Sequence, residues 1–114
     1  MESATLFDYL DEEVETKRPK TLEEKFEEFD RQHPEVYRAL VRLAREWVSV
    51  GGSKLGIATL FERLRWEWHV AGLRDSDGYK LNNSYRALYA RKIMALETDL
   101  VDLFETRVLS TERN

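Results

Sequence analysis

Apolar residues recur at steps of three and four on both sides of a Gly-Gly pair, and this pattern constrains the fold more than any other feature. Val36, Leu40, Leu43, Ala44 and Trp47 make one stripe, and Ile57, Leu60, Phe61, Leu64 and Trp68 make a second. A period near 3.6 keeps one side of an α-helix against a core. Gly51-Gly52 is expected to end the first helix and Ser53 to cap the next, with Gly56 a weak position near its start.

The neighbouring segments extend the pattern. Thr21-Leu22-Glu23-Glu24 has capping-box spacing and opens a helix over about 21–31, with Leu22, Phe26 and Phe29 on one face. His33-Pro34 starts the next helix, since proline at a first helical position gives up a donor that would be unused there. Asp75-Ser76-Asp77-Gly78 is a turn signal, and Tyr79-Lys80-Leu81 fits one side of a small ribbon at about 72–82. Ser84 then begins a helix carrying Tyr85, Leu88, Tyr89, Ile93 and Met94, and a last short helix after Thr98 would hold Leu100, Leu103 and Phe104. The expected fold class is all-α, a compact four- to five-helix domain with winged helix-turn-helix character if the ribbon forms. Residues 21–108 would be that domain, 1–20 an acidic arm broken off by Pro19, and 109–114 a tail.

The chain has 114 residues, room for one domain, and no cysteine, which removes thiol chemistry and disulfides together. Its two histidines, His33 and His69, are too few for histidine-rich metal sites, and no close carboxylate pair in a recognisable pocket can be inferred. The expectation is a non-enzymatic protein without cofactor or metal. No apolar stretch approaches the ~20 residues of a membrane span, and Met1-Glu2-Ser3 does not begin a secretory signal, so a reducing cytoplasm is the expected address.

A formal net charge of −4 conceals an uneven distribution. Residues 1–35 carry 12 acidic and 5 basic side chains, residues 36–96 carry 11 basic and 5 acidic, and 97–114 carry 5 acidic and 2 basic. A ligand meets the local potential, screened beyond ~8–10 Å, so the middle can attract an anion although the whole is acidic. The acidic flanks can equally fold back and neutralise it.

Arg38, Arg42 and Arg45 share one helical face, as either a solvated surface or a row of phosphate contacts. Helix, glycine turn and helix around Gly51-Gly52 has helix-turn-helix connectivity, which would put Lys54 and Arg63 on the second helix and Arg74 and Lys80 in a wing. Trp66 and Trp68 lie about 200° apart on a helix, so only one can face a given core. The other would meet a neighbouring helix or present a partner-binding or base-stacking surface. In the arm, Leu6, Phe7, Tyr9 and Leu10 among carboxylates read as a docking motif, a cover for the basic middle or a solubilising terminus.

His33-Pro34-Glu35-Val36-Tyr37-Arg38-Ala39-Leu40, Phe61-Glu62-Arg63-Leu64-Arg65-Trp66-Glu67, Lys80-Leu81-Asn82-Asn83-Ser84-Tyr85 and Tyr89-Ala90-Arg91-Lys92-Ile93-Met94 carry a resemblance. Over about residues 22–107 the chain resembles a family of small uncharacterised proteins of bacteriophages, prophages and bacteria. The resemblance excludes the acidic arm and transfers no residue roles. It implies a phage-like setting, in a host-cell cytoplasm, where small proteins bind host DNA or host proteins. The two functional expectations are therefore nucleic-acid contact through the basic middle, and capture of a host protein through the arm and an exposed Trp. A symmetric homodimer is compatible with both.

Overall fold

The computed structural model describes residues 18–72 and 80–104. Among these, four α-helices run in order: α1 over Leu22–Gln32, α2 over Pro34–Ser49, α3 over Ile57–Val70 and α4 over Arg86–Leu96. The all-α expectation holds. The start of α1 is the predicted capping box, the Thr21 hydroxyl accepting from the Glu24 amide at 3.1 Å and the Glu24 carboxylate accepting from the Thr21 amide at 2.9 Å. Pro34 stands in the first turn of α2, as its missing donor suggests.

Each helix turns its apolar stripe to one shared core. Val36, Leu40, Phe61, Leu64, Tyr89, Ile93 and Leu100 are its most enclosed large side chains. An aromatic cluster fixes α1 against α4: the Phe26 ring meets Tyr85 at 5.7 Å and Tyr89 at 4.7 Å, both edge-on. Phe61 approaches Tyr89 from α3 at 6.0 Å. Edge-to-face pairs add a fraction of a kcal/mol to about 1.5 kcal/mol beyond their buried area. Tyr89 is wholly enclosed, hydroxyl included, rather than reaching solvent with its tip.

Three local expectations change. Between α2 and α3 runs a seven-residue link, 50–56, not a tight turn, and Gly56 rather than Ser53 is the N-cap of α3. The reason is tertiary: Leu55 is pulled into the core, where its amide donates to the Leu103 carbonyl at 3.1 Å and its backbone bridges Phe104. A helix can begin only after that extended residue. The same bridge keeps Phe104 extended, so the stretch after Thr98 is a single 3₁₀ turn at Thr98–Leu100 and not a fifth helix. Finally, Trp47 is not a core residue. It is 39% exposed and lies over the Gly-Gly turn, its indole Nε1 donating to the Ser53 carbonyl.

Residues 73–79, where most of the expected ribbon falls, lie outside the described residues; Lys80, Leu81 and Asn82 form no strand. The tail at 109–114 lies outside them as well.

Candidate functional site

The arginines of α2 occupy the shared face that their spacing predicts, and all three are exposed. They do not form an open cationic row. Arg42 reaches across to α3 and donates to Glu67 at 2.7 Å, and Arg63 approaches the same carboxylate at 3.9 Å. Arg45 turns the other way and binds Asp99 at 2.9 and 3.1 Å and Glu97 at 2.8 Å. Its guanidinium holds the Asp99 carboxyl below the usual carboxylate range. Glu97 also accepts from the Tyr37 hydroxyl at 2.7 Å; burial and this carboxylate push the phenol up, so it stays a neutral donor. Lys92 of α4 pairs with Asp30 of α1 and stands 4.8 Å from the Tyr37 ring centre. These contacts tie α1, α2 and α4 together with charge that would otherwise face a ligand. Of the α2 row, Arg38 makes no ion pair among the described residues.

Lys54 is not on a helix. It sits in the 50–56 link and donates to the Asp102 carbonyl at 2.7 Å, fastening the Leu55–Phe104 bridge. Arg74 and the arm residues Leu6, Phe7, Tyr9 and Leu10 lie outside the described residues.

Cationic groups do gather elsewhere, at the N-terminal end of α4. Arg65 of α3 points its guanidinium at the approach to α4, donating to the Leu81 carbonyl at 2.8 Å and to the Asn83 side-chain oxygen, while Glu62 accepts at 2.6 Å from its other nitrogen. The Arg65 guanidinium carbon also lies 5.8 Å from the Phe61 ring centre. Asn82 caps the 3₁₀ turn Asn83–Tyr85 by accepting from the Ser84 amide at 2.8 Å. Arg86 opens α4, its Nε donating to the Asn83 carbonyl at 3.2 Å. Around these lies a cleft of about 400 Å³, lined among the described residues by Arg65, Lys80, Leu81, Asn82 and Asn83.

The hydrogen bonds determine what this cleft offers. The Asn83 and Asn82 carboxamide oxygens accept from Arg65 and the Ser84 amide, which orients the two side chains and leaves their amino groups without a bond among the described residues. Among the described residues Lys80 is exposed with no ion pair, and Arg86 donates to the Asn83 carbonyl and has no ion pair. Among the described residues the surface is rich in donors, with the Glu62 carboxylate at its edge. Such a set fits an anion or a row of acceptor atoms.

A search of protein-family models, curated proteins and solved structures finds no match to this chain.

The tryptophans divide. Trp68 packs partly against the core, and Trp66, diametrically opposite, is 64% exposed beside Val70 at 71%. Of the predicted basic residues that the structure describes, Lys80 alone lines the cleft; spacing did not single out Arg65, Arg86 and the two asparagines as site residues. The one signal for them was the Lys80-Leu81-Asn82-Asn83-Ser84 run, whose Asn pair marks a helix entrance.

Proposed function

We propose that this chain is a small non-enzymatic binding module that contacts nucleic acid through the cationic end formed by Arg65, Lys80 and Arg86 around Asn82-Asn83. The observation that carries this reading is the donor-rich lining of the cleft among the described residues, because phosphate and base-edge oxygens are acceptors. Lys80 and Arg86 would neutralise phosphates, while the Asn82 and Asn83 amino groups lie at the entrance of α4, the part of a recognition helix that meets base edges. On this reading α4 takes the recognition role, a different assignment from the α2–α3 pair read from the sequence.

Fluorescence anisotropy with a labelled mixed-sequence duplex tests the proposal. Binding at low salt should weaken steeply as salt rises, with a log–log slope of about −0.9 for each phosphate neutralised. A double variant, Lys80→Ala with Arg86→Ala, should make that slope shallower by about two. Absence of binding at low salt overturns the reading.

The outer face of α3 favours a second reading, a protein-binding effector of a host factor that anchors on Trp66 and Val70. Loss of partner capture on Trp66→Ala, with capture intact in the Lys80/Arg86 double variant, would select it.

A further inference from the structure

We infer that the acidic N-terminal segment, residues 1–17, docks on the Lys80–Arg86 end of its own chain and competes there with polyanions. This rests on that end being a ligand surface, as proposed above, and adds its regulation.

Three observations lead to it. The first is where the segment leaves the body. Phe26 of α1 meets Tyr85 and Tyr89, and Asp30, one turn later, meets Lys92. Phe29 meets the same Tyr85 ring at 5.3 Å, so α1 packs on the 3₁₀ turn Asn83–Tyr85. Leu22 precedes Phe26 by one turn, about 6 Å along the axis. The chain before α1 therefore leaves the body close to the turn that carries Asn83 and leads into Arg86.

The second is charge. Residues 1–17 hold six carboxylates (Glu2, Asp8, Asp11, Glu12, Glu13 and Glu15) against Lys17 alone. At the root, Arg18 pairs with Glu24 at 3.1 Å and Lys20 with Glu28 at 2.6 Å. The nearby donors at Lys80, Arg86, Asn82 and Asn83 have no carboxylate among the described residues.

The third is reach and tethering. Seventeen extended residues span up to about 55 Å, ample for a site beside the turn on which α1 packs. A tether of this kind gives an effective concentration in the millimolar range, so even a weak electrostatic contact is substantially populated. An arriving polyanion must displace it, and its apparent affinity falls by the fraction of chains with the site open.

The experiment uses the full chain and a variant carrying Asp8→Asn, Asp11→Asn, Glu12→Gln, Glu13→Gln and Glu15→Gln. Amide chemical shifts of residues 82–86 are compared at low salt and low protein concentration, alongside anisotropy with the labelled duplex. The expected result is displacement of those amide signals in the variant, a matching displacement of the parent's signals as salt is raised, and about tenfold tighter duplex binding by the variant. Unmoved signals at 82–86 overturn the inference. Displacements in the parent that appear only as protein concentration rises also overturn it, since the occupant is then a second copy's segment. Displaced signals with no duplex binding by either chain sustain the docking while removing nucleic acid as the competitor.

Discussion

Arg65 donates to the backbone carbonyl of Leu81 at 2.8 Å, and this bond joins the middle of α3 to the residue that leads into α4. Leu81 is buried, so its carbonyl needs a partner near the protein interior. Arg65→Ala removes that donor together with the bond to Asn83, and should lower stability by about 1–2 kcal/mol in urea unfolding. Arg65→Lys should recover only part of this, because an ammonium cannot copy a fork of donors. Full recovery by lysine would mean that charge alone matters at this position.

Trp47 covers the turn that follows α2, and a Cβ on Gly52 would fall 2.3 Å from its indole ring. Gly52→Ala should therefore displace the ring, break its bond to Ser53 and cost about 1–3 kcal/mol. Stability is read by urea unfolding and the ring by tryptophan fluorescence. Unchanged fluorescence and stability would show that the ring does not occupy that space in solution.

The two faces of α3 should respond oppositely to truncation. Phe61→Ala empties a fully enclosed site and should cost about 3–5 kcal/mol. Trp66→Ala removes a side chain that is mostly in water and should change stability by less than about 0.5 kcal/mol. A large loss from Trp66→Ala would mean that the face is covered in solution.

Acid should weaken the fold through specific carboxylates. The Arg45 guanidinium depresses Asp99, the Thr21 backbone amide depresses Glu24, and Lys20 depresses Glu28. A group with a lowered folded-state pKa contributes fully above its unfolded value, ordinarily 3.8 for Asp and 4.5 for Glu, and loses that contribution as pH falls through the depressed value. Thermal midpoints should therefore decline once pH drops below about 4.5. Asp99→Asn should have a lower midpoint at neutral pH and a shallower acid decline. An acid decline equal to the parent's would show that the Arg45 contact contributes nothing.

The salt dependence of duplex binding should separate occupied cations from available ones. Arg42→Ala and Arg45→Ala remove groups already neutralised by Glu67, Glu97 and Asp99, so each should leave the slope nearly unchanged. Lys80→Ala should reduce it by about one. The reverse ranking would return the interface to the α2 face.

Much of the helical framework was legible in the sequence because its causes are local. Periodic apolar positions at 36–47 and 57–68, the Thr21–Glu24 capping box and Pro34 each act within a turn or two of chain, and all take their expected places apart from Trp47. The exposure of Arg38, Arg42 and Arg45 follows from the same periodicity. Tertiary structure decided the rest. Leu55 and Phe104, 49 positions apart, hold one another extended and so move the start of α3 and replace an expected fifth helix with a single turn. Likewise, spacing states which face an arginine occupies, but its availability depends on whether a carboxylate from a distant segment reaches it. Glu67, Glu97 and Asp99 reach Arg42 and Arg45, and leave the cationic end of α4 to Lys80 and Arg86. Helical periodicity is a property of neighbours in the chain, whereas charge pairing is a property of neighbours in space.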